Sequence, residues 1–290
     1  MRTPPGTTAT RDRRRLVTDV DAPRVAGAGD ERHEILLRGD LIPIGRIRSA
    51  SNATFLCEAG LGDNTVECVY KPVAGEQPLW DFPDGTLAGR ELGAYLISAA
   101  LGWDIVPHTI IRQGPAGAGM VQLWVEQAEE PEDAGLVDLC PGKSVPPGYI
   151  SIISAYDYSG GEVTLVHADN PQLRRMAVFD VVVNNADRKG GHILAGTDGR
   201  VYGVDHGLSL HSHDKLRTVL WGWAGDPIHD DDVVALADLD QQMAGKLGTR
   251  LRRHITAAEL AALRRRVRAL LDDPVMPSPN GHRPLPWPAF

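Results

Sequence analysis

Val181-Val-Val-Asn-Asn-Ala-Asp-Arg-Lys-Gly-Gly-His-Ile-Leu194, with Asp198-Gly-Arg-Val-Tyr-Gly-Val-Asp-His-Gly207 close behind, is the stretch on which the reading of this chain turns. An apolar helix end runs straight into Asp187, and a second potential ligand, His192, follows five positions later across two flexible glycines. The remainder predicts loop, strand, Asp-Gly turn, strand and loop, with Asp205 at the end of the second strand. An exposed carboxylate at 187 could accept a proton from an attacking hydroxyl. Two carboxylates converging from neighbouring loops suit magnesium, which prefers oxygen ligands and keeps waters and phosphates in its shell, and Asp205 is the better metal candidate. Taken alone, Asp187 also suits an ordinary helix-to-strand turn, and Asp205 a turn-forming Asp before glycine.

Upstream, short β-type runs end at Gly, Asp or Asn: Glu34 to Ile47, Ala53 to Ala59 and Thr65 to Pro72. Leu92, Tyr95, Leu96 and Ala99 recur at helical spacing and predict a helix over Leu87 to Leu101. Two more strands are expected at Ile105 to Arg112 and Met120 to Gln127, giving a small antiparallel sheet with one helix packed on it. The connection from Gly45 to Thr54 is rich in small polar residues, whose N–H groups and hydroxyls could cradle phosphates; an ordinary hairpin connection fits the same composition. Lys71 ends an apolar strand in a chain with only five lysines against 25 arginines, which suits a compact point charge on a phosphate. Glu91, in the predicted helix, could pair with Lys71 and orient it, although alone it reads as a surface helix residue.

Downstream, helices are expected at Pro171 to Asn184, Asp230 to Leu247 and Thr256 to Asp272. The last carries a capping box, Thr256 with Glu259, and an apolar stripe of Leu260, Leu263, Val267 and Leu270. The fold class is therefore α+β. The expected organisation is a disordered arm over 1–33, a sheet-based N-lobe over 34–127, an acidic, proline-containing connection over 128–147, a mainly helical C-lobe over 148–273 and a Pro-rich tail over 274–290.

Among 290 residues, 42% are hydrophobic and 23% charged, as in ordinary globular proteins. The net charge of -8 argues against a nucleic-acid binder driven by overall basicity, even with the cluster Arg11, Arg13, Arg14 and Arg15. No run approaches the apolar length of a spanning helix, so no integral membrane association is expected; Asp180 breaks even the run from Val178 to Val183. Three cysteines, Cys57, Cys68 and Cys140, form neither a disulfide framework nor a zinc spacing, and a cytoplasmic location is expected.

In order, the small polar loop, strand Lys71, helix Glu91, Asp187-Arg-x-x-x-His192 and Asp205-His-Gly207 resemble a protein-kinase-like fold, most nearly the bacterial branch of the phosphatidylinositol 3- and 4-kinase-like family that includes the HipA-type serine/threonine kinases. The resemblance implies a two-lobed fold and an ATP-dependent phosphotransferase that moves the γ-phosphoryl group of Mg-ATP to a hydroxyl. It implies that Lys71 contacts ATP phosphates with Glu91 as its partner, that Asp187 is the catalytic base and that Asp205 binds magnesium. It also implies that Ser51, Asn52 and Thr54 cover the phosphates and that the segment around Glu126 and Gln127 meets adenine. Position 189 is Lys where lipid kinases commonly carry His, and His192 stands where the family has a metal-binding Asn. An imidazole there implies either a shift of preference toward manganese or a weakly held second metal.

The acceptor is expected to be a protein Ser/Thr or small-molecule hydroxyl rather than a phosphoinositide. A catalytically weak kinase-like module that binds nucleotide or a partner, and an AMP transferase on the same fold, are alternatives left open at this stage. A metal hydrolase built on the histidines is a weaker one.

Overall fold

The computed structural model describes residues 28–47, 52–83, 85–128, 135–157, 159–280 and 283–290. The first described element is a helix, α1 (Ala28–Arg38), where the end of the disordered arm and the start of a strand were expected; the rest of that arm, 1–27, lies outside the described residues. Glu34 and Arg38 form an i,i+4 ion pair at 3.0 Å, and Ile35 and Leu36 are buried together against the sheet. Gly39 stops the helix: its N–H donates to Ile35 O, and a Cβ there would sit 2.6 Å from that oxygen and 2.7 Å from Gly60 O. Strand β1 (Asp40–Arg46) then pairs with β2 (Phe55–Leu61), which pairs with β3 (Asn64–Pro72).

After β3 comes α2 (Leu87–Ala100). Its N-terminal amides are well supplied with acceptors: Thr86 Oγ1 takes Gly89 N, while the Glu76 carboxylate takes Leu87 N and Ala88 N. Strands β4 (Thr109–Gly114) and β5 (Gly117–Leu123) complete a five-stranded antiparallel sheet of order β1-β2-β3-β5-β4. Successive side chains point to opposite faces. Ile110 and Val121 pack with Ile35 and Leu36 of α1, whereas Ile111 and Met120 join the core that contains Leu92, Leu96 and Ile97 of α2. The sheet is thus covered by two helices, where one was expected, and this explains the unbroken apolar text of β4 and β5.

The stretch expected to be a plain connection contains β6 (Val137–Pro141). With β7 (Tyr149–Tyr156) and β8 (Glu162–Ala168) it forms a second antiparallel sheet of order β6-β8-β7, so the later half is less purely helical than its composition suggested. Helix α3 (Pro171–Val183) follows, capped by Asn170, whose Oδ1 accepts from Gln172 N and Leu173 N, and stopped at Asn184 in the left-handed region. The expected short hairpin is present as β9 (Ile193–Ala195) and β10 (Val201–Gly203). The second predicted helix is split at Gly245 into α4 (Asp230–Ala244) and α5 (Lys246–Leu251). The last, α6 (Ala257–Asp272), carries the anticipated capping box.

Beyond α6 the chain is extended, as its prolines predict, but it is docked and not loose. Val275 bridges Pro227, and Pro284 O accepts from Thr218 N and from the Trp221 indole. Among the described residues the architecture is α+β, with antiparallel sheets and six helices. None of these helices is long and apolar enough to cross a membrane. Cys57, Cys68 and Cys140 are buried free thiols.

Candidate active site

Three elements converge on one ammonium group. Lys71 comes from β3, Glu91 from the first half of α2 and Asp205 from the turn after β10. Lys71 Nζ lies 2.8 Å from Glu91 Oε1 and 3.1 Å from Asp205 Oδ1. The second Glu91 oxygen accepts the His206 backbone N–H at 2.9 Å, so this buried carboxylate ties the strand lysine to the loop that carries Asp205. Asp205 has φ +59°, a conformation that costs a residue with a Cβ roughly 1–2 kcal/mol. Backbone held in such a conformation by its surroundings is concentrated at functional sites.

Among the described residues, the cleft around this group is lined by four carboxylates, Glu76, Glu91, Asp187 and Asp205, with Lys71 the single cation and Leu79, Leu87 and Leu208 as an apolar wall. Burial works against the Lys71 charge, but Asp205 and Glu91 outweigh it and push its pKa above the ordinary lysine value. Lys71, outweighing burial, holds Asp205 well below the usual carboxylate range. Asp187 behaves in the opposite way: burial pushes its carboxyl up to about 6, against the pull of Lys189 Nζ at 3.6 Å. One carboxyl is therefore held as an anion, and the other is shifted toward neutral pH, a direction that would suit proton transfer.

His192 completes the arrangement. Burial lowers its pKa, against the pull of Asp205, and leaves the ring neutral near pH 7. Its Nδ1 lies 2.9 Å from Asp187 O. A carbonyl can only accept, so Nδ1 carries the proton and Nε2 presents its lone pair to Asp205 Oδ2 at 3.6 Å. Two lone-pair atoms facing each other in this way suit a bridging divalent cation, and donation of the other ring N–H to a carbonyl is the usual support of a metal-binding histidine. Among the described residues no three His, Cys, Asp or Glu side chains group as a metal site. Asp205 and His192 are thus two candidate ligands among the described residues, a set that would suit an ion whose remaining ligands are waters and substrate oxygens.

Protein Rv2133c of Mycobacterium tuberculosis is 63% identical to this chain over 267 residues, a match covering 90% of this chain and 96% of the relative. The chain belongs to the Rv2133c family. No family model matches it.

Of the residues singled out from the sequence of this Rv2133c-family protein, Lys71, Glu91, Asp187, Asp205 and Asn52 line one cleft, and His192 adjoins it. Asn52 Oδ1 accepts from Gln77 N at 2.9 Å. Ser51 lies outside the described residues. One expectation is corrected. Thr54 is buried, with its hydroxyl turned back on Asn52 O, and does not face the cleft. Glu126 O accepts from Thr197 N and Gln127 bridges Gly196, which joins the chain after β5 to the β9–β10 hairpin; neither residue lines the cleft around Lys71.

What the residue-by-residue reading missed is the support beneath the loop. Asp180 and Arg188, both with 0% side-chain exposure, pair at 3.0 Å. Asp180 also accepts from Asn185 Nδ2 and Thr218 Oγ1, while Arg188 donates to His192 O and Val204 O. Asn185 Oδ1 accepts from Asp187 N. The signal was present in the text: Asp180 is the one charged residue within an apolar helical run, and such a residue must have a partner.

Proposed function

We propose that this protein is an ATP-dependent phosphotransferase of the phosphatidylinositol 3- and 4-kinase-like type, moving the γ-phosphoryl group of ATP to a hydroxyl. The observation that carries this reading is the convergence of Glu91 and Asp205 on Lys71 in a cleft that also contains Asp187. A lysine held by a helix carboxylate suits phosphate binding. Asp205 with His192 Nε2 suits a divalent ion, which when bound neutralises charge on the transferred group. Asp187 then accepts the hydroxyl proton as the oxygen attacks the γ-phosphorus and the bond to the bridging oxygen breaks, releasing ADP. His192 as a ligand favours manganese as an alternative to magnesium.

The acceptor is a protein Ser/Thr or small-molecule hydroxyl. Support comes from the cleft walls: among the described residues lining it, four carboxylates against one lysine make a predominantly anionic surface that disfavours a phosphorylated inositol headgroup.

The test is calorimetric titration with ATP in magnesium, in manganese and in EDTA. Binding is expected only with metal, and Lys71→Ala and Asp205→Ala should each weaken it by about tenfold or more, the scale of one charge-assisted contact. A parent protein that binds no nucleotide under any of the three conditions would overturn the reading.

The pH dependence follows from Asp187. Its carboxyl must be ionised to act as a base, and its folded pKa is about 6. ATP turnover is therefore expected to rise with pH through about 6 and to lose roughly tenfold for each unit below it. A profile flat from pH 5 to 7 would remove Asp187 from that role.

A further inference from the structure

The loop from Asp187 to His192 contains two adjacent glycines, the residues with the most freedom to lose on ordering. A base must nevertheless be held within a fraction of an ångström of its working position. One support has been described, the Arg188 guanidinium beneath the loop. A second comes from far along the chain. Gly190 N donates to Ala289 O at 2.8 Å. A Cβ built on Gly190 would sit 2.5 Å from Phe290 Cε1 and 2.7 Å from its Cδ1, so the aromatic ring lies directly on the glycine backbone.

The same extended segment is fastened to the other side of the loop. Pro284 O accepts from Thr218 N and from Trp221 Nε1, at 3.1 and 2.9 Å. Thr218 forms a parallel bridge with Arg188, whose own N–H and C=O bond to Arg217 O and Val219 N. Leu285 and Ala289 pack on the main core. None of residues 283–290 lines the cleft around Lys71. The segment therefore lies behind the loop and does not cover the cleft.

We propose that residues 283–290 form a positioning strap for the Asp187–His192 loop, with Phe290 the positioning residue that clamps Gly190. The strap rests on the phosphotransferase reading for its functional consequence, but not for its mechanical one. Phe290 is 47% exposed, so its truncation leaves the core intact. The choice of glycine at 190 also receives a reason: any side chain there displaces the ring.

The test uses the full chain with Phe290→Ala, Phe290→Leu and Gly190→Ala, read by hydrogen–deuterium exchange over 187–193, by Mg-ATP affinity and by ATP turnover. Phe290→Ala and Gly190→Ala are expected to speed exchange of the loop amides and to lower turnover by about tenfold, with Mg-ATP affinity unchanged. Phe290→Leu, which keeps an apolar cap, should restore most of both. Loop exchange in Phe290→Ala equal to that of the parent overturns the strap whatever the activity. Faster exchange with undiminished turnover also overturns it, because the segment then only packs. A parent that neither binds nor turns over Mg-ATP overturns the phosphotransferase reading instead, and the strap then stands or falls on the exchange of the loop.

Discussion

Asp187→Asn is expected to lower ATP turnover by about 10²–10⁴-fold, the range that a positioned general base contributes, while Mg-ATP affinity stays within a few-fold of the parent. The substitution preserves shape and removes the single property the role requires, since an amide cannot take up a proton at neutral pH. Nothing that seats the residue depends on its charge: Asp187 N still donates to Asn185 Oδ1, and Asp187 O still accepts from His192 Nδ1. The side chain is 27% exposed, and its ion-pair partner among the described residues is Lys189 at 3.6 Å. Loss of that contact affects a half-buried surface pair worth at most about 1 kcal/mol, too little to unfold the protein. Turnover can be followed as release of labelled phosphate, with affinity measured on the same sample. Parent-like turnover in the variant would sink the assignment of the base. Loss of turnover together with loss of nucleotide binding would mean that Asp187 holds the substrate and does not move a proton.

Much of this site was legible because local text and local structure agree. Lys71 reads as the polar end of an apolar strand, Glu91 as a helix residue, and Asp187 and Asp205 as loop residues at the ends of apolar elements; each occupies that local setting in the fold. Their meeting was not legible from spacing, since Lys71 and Asp205 are separated by 134 positions. The errors have physical causes of the same kind. Glu34 to Arg38 carries adjacent apolar residues that suit a strand, but the Glu34–Arg38 pair and the stop at Gly39 favour a helix that covers the sheet. Strand β6 hides in acidic, proline-containing text, because it needs only Val137 and Cys140 to face inward. Thr54 has the right residue type for a ligand contact, yet its hydroxyl is already bonded within the protein. Sequence shows which groups a residue has, whereas tertiary structure decides which of them are spent.

The second large effect is expected at the buried pair beneath the loop. Asp180→Ala should destabilise the fold by about 3–5 kcal/mol, the cost of leaving one member of a buried ion pair uncompensated. Arg188 has no route to water, with 0% of its side chain exposed. Its Nε and Nη2 lose their three bonds to the carboxylate at 3.0–3.1 Å, and Asn185 and Thr218 lose their acceptor as well. His206 cannot compensate. Burial and then Arg188 hold its pKa well below the ordinary value, so it remains a neutral acceptor for Arg188 Nη2 at 2.6 Å. The double variant Asp180→Leu with Arg188→Met should recover part of the loss, because apolar replacement of both partners removes the stranded charge. It should not recover nucleotide turnover, since the guanidinium bonds Val204 O, the carbonyl just before Asp205, and reinforces the bond that Val204 N makes to His192 O. Urea denaturation of the parent, both single variants and the double variant gives the coupling directly. A loss below about 1 kcal/mol in Asp180→Ala, the scale of a solvated surface pair, would show that the pair is neither dry nor structural. Recovery of full turnover along with stability in the double variant would show that the loop holds its geometry without the guanidinium.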